Sequence, residues 1–417
     1  MIFKKDSLKI SEINLIIYNM IIILITLSQT ILITKFLSQK DYGIYGFYIS
    51  LSQYIFVLAN WGFSSWGVNK ISRNTLNKAE IFKNIVYSRL LSGGVAFFLV
   101  SFYFYFLLKS YSIIVYFGYL LYYLSIVFST EILYISDNKI KDFIIINFKA
   151  KIYYTLFLIA IIFLFNANAN LLFFLFAIQN IAISIYAFYY YKSIIYSDYL
   201  FKIKNILSTL KYSSSNSLLV FVSFLFASGP VILSGMFMNK DKFSVVYASI
   251  AIIKMIQATY NPMIQKILPK LNHANSEENK ILLIKTDVLI SISYAILTTI
   301  LIWIFAPLIV RVVFSYKYIG LVQAIRIYSI SILPGLLNTL IISQLFVYYD
   351  MIKHSYLIVI FSSILVYLLL IYNLNELSWS RVIISMIVGE FFQLSLLCLI
   401  FFIKNKMAIK KVSFFTF

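Results

Sequence analysis

Charged side chains fall almost wholly in short clusters between about twelve apolar runs, each close to the ~20 residues that carry a helix across a bilayer. Backbone in hydrocarbon must satisfy its own hydrogen bonds, so a chain built this way folds as an all-α bundle of membrane-spanning helices. The runs lie near 13–34, 42–62, 86–108, 113–136, 143–165, 171–191, 215–237, 244–264, 286–309, 321–347, 354–373 and 381–403. An even number puts both termini on one side.

Lys and Arg say which side. Lys35, Lys40, Lys109, Lys240, Lys242, Arg311, Lys317 and Arg381 fall on one face, and Lys254 and Arg326 fall inside runs. The rest of the 35 basic residues lie in the tails, the opposite connections and the run ends that adjoin them, as in Lys70-to-Arg89 and Lys404-to-Lys411. The positive-inside rule makes the tails cytoplasmic. Orientation and contact with anionic lipid heads account for the net charge of +20 without nucleic acid.

Several chemistries are disfavoured. The first run is full span length with no Ala before Ala59, so it is expected to stay as a helix rather than be cleaved. One cysteine, Cys398, and two distant histidines, His273 and His354, offer no metal spacing. No Gly precedes Lys, so the phosphate-cradling loop of an ATPase is absent, and no cofactor is called for. The longer connections, near 192–214, 265–285 and 66–85, are cytoplasmic, which leaves no room for an outer catalytic domain. An enzyme is not expected.

The chain divides near the polar stretch 192–214, giving lobes at 1–200 and 201–417 with six spans each. Asn14 through Phe36-Leu37-Ser38-Gln39-Lys40-Asp41 is matched by Asn216 through Phe237-Met238-Asn239-Lys240-Asp241. Two lobes entered in the same direction form parallel repeats around a pseudo-two-fold axis, with a substrate site between them.

Polar residues inside spans are costly, about 3 kcal/mol for a central charge, and so point to a cavity or a partner. Lys254 is midway along span 8, and Tyr247, Lys254, Gln257 and Asn261 share one helical face. Either that face is a cationic wall meeting an anionic substrate, or Lys254 is a structural partner of Glu131 or Glu390. Gly46, Ser50, Gln53 and Asn60 stripe span 2, and Asn14, Tyr18 and Gln29 stripe span 1, as cavity lining or as hydrogen bonds between helices. Arg89 and Arg326 lie near span ends, within reach of an interface. Glu131 and Glu390 are proton or cation sites, or counter-ions. Gly229-Pro230 and Pro334-Gly335 interrupt spans 7 and 10, with Pro230 and Pro334 as hinges or static kinks.

The stretch Lys35-Phe36-Leu37-Ser38-Gln39-Lys40-Asp41-Tyr42-Gly43-Ile44-Tyr45, Tyr54, the Asn60-Trp61-Gly62-Phe63 turn and the basic run through Lys70, Arg73 and Lys83 to Arg89 form one pattern. Val246-Tyr247-Ala248 through Lys254, Asn261-Pro262 and Leu268-Pro269-Lys270-Leu271 form another. Together they resemble bacterial O-antigen and capsule repeat-unit flippases of the Wzx type, in the multidrug/oligosaccharidyl-lipid/polysaccharide exporter superfamily. The chain departs from that pattern at Tyr134-Ile135-Ser136-Asp137-Asn138, where many relatives carry an aromatic followed by Gln-Gly.

The resemblance implies twelve helices in two six-helix lobes around a V-shaped cationic cleft, in the bacterial inner membrane. It implies a monomer that moves a short oligosaccharide on undecaprenyl diphosphate to the outer leaflet, with H+ or Na+ coupling and contact with polysaccharide polymerase or chain-length proteins. In that cleft Lys254, Arg89 and Arg326 would meet the diphosphate, because an unpaired buried anion is very costly. A cation-coupled multidrug exporter shares the fold but would prefer an acidic cavity. A membrane polysaccharide polymerase is disfavoured by the short outer loops.

Overall fold

The computed structural model describes residues 21–409 except 74–76, 106–111, 138, 165–166, 193–201, 266, 268–270, 272–275, 315–317, 350 and 373. Asn14 and Tyr18 lie outside the described residues. Every regular element among the described residues is helical. Among the described residues ten helices are long and apolar enough to cross a bilayer, and one bent pair supplies an eleventh. The shorter apolar helix Ile21–Phe36 falls on the expected first span. The backbone forms two compact units, Met1–Phe224 and Leu225–Phe417.

In the N-terminal unit α1 is Ile21–Phe36, α2 Gln39–Asn60, α3 Phe63–Arg73, α4 Lys78–Tyr103, α5 Ile113–Val127, α6 Glu131–Ser136, α7 Ile140–Leu164 and α8 Ala169–Tyr190. The helix α9, Ile203–Ala227, runs from this unit into the next. Ser38 caps α2: its hydroxyl accepts from the Asp41 amide at 3.0 Å and donates to the Asp41 carboxylate at 2.6 Å. The helix ends because Trp61 and Gly62 turn left-handed, with φ 37° and 69°. That turn sends the Trp61 indole to the Leu210 carbonyl at 3.2 Å.

Behind the turn, Phe63 and Ile71 of α3 pack with Phe82 and Ile85 of α4 and with Leu133 and Tyr134 of α6 in one buried cluster. The stretch 66–85 is therefore mostly helix, and α4 starts at Lys78 rather than at the first apolar residue. Polar side chains do not stop a helix whose backbone is already closing its own bonds. Where the chain departs from the flippase pattern, Asp137 pairs with Lys78 and accepts from the Tyr191 hydroxyl at 3.0 Å. Burial and the Asp137 carboxylate push the Tyr191 hydroxyl well above its ordinary pKa.

In the C-terminal unit α10 is Gly229–Phe237, α11 Lys240–Gln265, α12 Glu277–Val313, α13 Leu321–Ser329, α14 Ile332–Leu340, α15 Ile352–Ile371 and α16 Trp379–Ile409. The axis bends by 44° between α9 and α10. Pro230 sits in the first turn of α10, where its missing N–H costs nothing, so it starts a new helix rather than kinking an old one. Pro334 occupies the same kind of position in α14, just after the interruption at Ile330 and Ser331. A π-helical turn, Ile341–Leu345, follows before the span resumes. The 37 residues of α12 make a rod roughly 55 Å long at 1.5 Å per residue, well beyond the hydrocarbon thickness.

Candidate functional site

Interrupting a helix in a membrane leaves carbonyls without donors, and three cations answer that need. Lys254 of α11 donates from Nζ to the Ala227 carbonyl at 3.3 Å, at the bend between α9 and α10. Arg326 of α13 donates from Nε to the Trp303 carbonyl at 3.0 Å. Trp303 is four residues before Pro307, so its carbonyl is the one that proline deprives of a donor. Arg89 of α4 donates from Nη1 to the Ser129 carbonyl at 2.7 Å, in the gap between α5 and α6. Lys254 and Arg89 thus stand at breaks in their neighbouring spans, and Arg326 at a proline inside a continuous one.

In the C-terminal unit Lys254 is exposed, and no carboxylate of a described residue lies at ion-pairing distance from it. Glu390 forms no ion pair with Lys254. One turn along α11, Gln257 donates to the Ser331 carbonyl at 3.4 Å, at the interruption between α13 and α14. Gly335 makes this meeting feasible, because a Cβ there would stand 2.5 Å from Gln257 Nε2 and 3.2 Å from Glu390 Oε2. Asn338 donates to the main-chain carbonyl of Glu390 at 3.1 Å. Glu390 Oε2, Asn338 Oδ1 and Gln393 Oε1 are buried without a partner among the described residues. Each is an oxygen acceptor with unspent hydrogen-bonding capacity. Tyr247 is half-buried beside Phe243, and the Asn261 side chain lies outside the described residues.

In the N-terminal unit a polar cavity of about 220 Å3 is enclosed by α2, α4, α5, α7 and α8 with the start of α3 and α6. Arg89, 2% exposed, presents an unpartnered Nε there, and Glu131 shares the cavity without reaching ion-pair distance. Asn60, Asn147, Asn180 and Ser184 complete its polar wall. Asn147 and Asn180 each donate to the carbonyl four residues earlier on their own helix. Asn60 and Ser64 bond each other across the α2–α3 turn, at 2.9 and 3.1 Å. Gln29 instead bridges α1 to α7, donating to Thr155 at 2.9 Å. Gln53 is half-buried and makes no hydrogen bond with a described residue.

Asn147, Asn180 and Asn338 are not among the residues expected from sequence, and Gly335 enters there only as part of the interruption in span 10. A lone amide in an apolar run was a usable signal for the three; the approach of Gln257 and Glu390 to Gly335 had none. Arg89 lies about three turns inside α4, because the helix begins at Lys78, ahead of the apolar edge at 86.

A scan against family models finds no match, and no curated protein matches in sequence. Solved structures do match in shape. Lipid II flippase MurJ, in an inward closed conformation, superposes with a TM-score of 0.67 at 15% identity, over 93% of this chain and 87% of that one. An inward-facing multidrug resistance MATE family transporter of the MOP superfamily gives 0.65 at 15% identity, over 94% and 96%. A MOP superfamily transporter from Pyrococcus furiosus, described as having a binding pocket of reversed polarity, gives 0.57 at 13% identity, over 97% and 95%. At these identities the likeness establishes architecture: this multi-pass membrane chain has the fold of the MOP-superfamily transporters.

Proposed function

We propose that this protein moves undecaprenyl-diphosphate-linked oligosaccharide repeat units, of O-antigen or capsule type, from the cytoplasmic to the outer leaflet of a bacterial inner membrane by alternating access. The placement of Lys and Arg supports cytoplasmic termini. The observation that carries the reading is Lys254, exposed in the middle of a span with one N–H on the Ala227 carbonyl and no ion-paired carboxylate. An ammonium held this way keeps two donors for an incoming diphosphate, whose lost hydration a cation must replace. Arg89 and Arg326 keep spare N–H groups in the same manner and would help at either mouth.

The amides and hydroxyls around Arg89 suit a sugar chain, since they hydrogen-bond many arrangements without demanding one. Glu390, with its unpartnered oxygen, and Glu131 are the sites proposed for H+ or Na+ coupling. The protein would work as a monomer in contact with polymerase or chain-length partners. A cation-coupled multidrug exporter is the second reading, favoured by the buried carboxylate oxygen of Glu390.

Deleting the gene in its host and following surface polysaccharide and lipid-linked intermediates tests this. Loss of surface polymer with single diphosphate-linked repeat units trapped on the cytoplasmic side is the expected result. Unchanged polysaccharide with new drug sensitivity would instead identify the exporter, and surface chains cut to one repeat unit would identify a polymerase.

A further inference from the structure

A second depression in the N-terminal unit, of about 480 Å3, lies between the adjacent spans α7 and α8 and takes no part in the site above. The small Ala150 and Ala182 leave the space, and the exposed rings of Tyr153, Phe157 and Tyr186 stand along it. In a bilayer such a groove is filled by an acyl chain, and aromatic rims fit one well.

Two polar groups ask for more than hydrocarbon. Gln179 lines the groove, is 7% exposed, and its amide makes no hydrogen bond with a described residue. An unmatched amide facing lipid is costly, so whatever fills the groove must bring polar atoms to it. Lys149, exposed on the same face of α7, adds a positive charge in the half of the span nearer the lysine-rich connections.

An occupant with an apolar tail, hydrogen-bonding oxygens below its head and a negative head meets all three demands. We propose that the groove holds one anionic phospholipid of the leaflet bordered by the lysine-rich connections. Its acyl chain lies along Tyr153 and Phe157, its ester oxygens face the Gln179 amide, and its phosphate faces Lys149.

Native mass spectrometry of the purified full-length protein tests this with phosphatidylglycerol and phosphatidylcholine of identical chains. One phosphatidylglycerol is expected to be retained about fivefold more tightly than phosphatidylcholine, the effect of one lysine near an anionic head. Gln179→Leu and Lys149→Ala should each weaken retention severalfold, whereas Lys211→Ala, an equal loss of charge on another helix, should not. Equal retention of the two lipids by the unaltered protein overturns the proposal. In nanodiscs of the unaltered protein, a phosphatidylglycerol with a photoreactive acyl chain should label residues 146–157 and 178–186, the two walls of the groove. Labelling spread evenly over all spans also overturns it.

Discussion

Lys254 Nζ lies 3.3 Å from the Ala227 carbonyl, so the mid-membrane charge on α11 is anchored to the main chain at the bend between α9 and α10. Anchoring and cargo binding can be separated by substitution. Lys254→Gln keeps a donor for Ala227 without the charge, and should accumulate normally yet lose transport about tenfold or more, the scale of one charge-assisted hydrogen bond of roughly 1.5–3 kcal/mol. Lys254→Met should lose both. Surface polymer measured against protein level distinguishes the variants, and normal export by Lys254→Gln would reduce the lysine to a structural cap.

Arg326 and Pro307 should be energetically coupled through the Trp303 carbonyl. Arg326→Met is expected to cost about 1–3 kcal/mol, the penalty of a carbonyl left without a donor inside an apolar span. In a Pro307→Ala background the helix supplies its own donor, and the same change should cost about 1 kcal/mol less. Unfolding of the four proteins in detergent measures the difference; strict additivity would deny the link.

Gly93 allows α4 its close approach to α2. A Cβ there would stand 2.7 Å from Ala59 Cβ and 2.7 Å from the Tyr123 ring. Ala59 Cβ has no rotamer by which to retreat, so Gly93→Ala should destabilise by about 1–3 kcal/mol. Ala59→Gly in the same chain should recover part of the loss, read as melting temperature.

Gly335→Ala presents a softer obstacle, since the crowded atom is the free end of Gln257. The variant should lose the contact to Ser331 at a cost of about 1 kcal/mol, and adding Gln257→Ala should remove most of the remaining strain. A double variant less stable than Gly335→Ala alone would mean that Gln257 is not what the new methyl meets.

Tyr191 gives the fold an alkaline limit. Its hydroxyl pKa is raised in the folded chain, so the folded state keeps a proton that the unfolded state sheds near pH 10. Stability from this group is complete below pH 10 and falls above it. Melting temperatures from pH 9 to 11 should therefore decline less steeply in Tyr191→Phe than in the unaltered protein.

The spans were legible because twelve apolar runs have few alternatives in a bilayer, and Gly229-Pro230 announced its own break. The start of α4 was not legible, because apolarity marks where hydrocarbon begins, whereas the helix continues back to Lys78 through charged turns. The partners of the three cations were invisible for another reason. Each is a carbonyl, and a carbonyl's availability depends on local backbone geometry rather than on the residue that bears it. Glu390 could be singled out by its charge, but its convergence with Gln257 on Gly335 brings together three helices and has no linear signature.

Arg89 with Ser129, Lys254 with Ala227, and Arg326 with Trp303 are separated by 40, 27 and 23 residues, and each pair belongs to consecutive spans. Biogenesis feels the consequence. As a helical hairpin enters the bilayer, its span charge and its donor-poor carbonyl can satisfy each other before any later span arrives. Each hairpin is thus already a tolerable guest in the membrane, and the interruptions need not wait for the finished protein to become affordable.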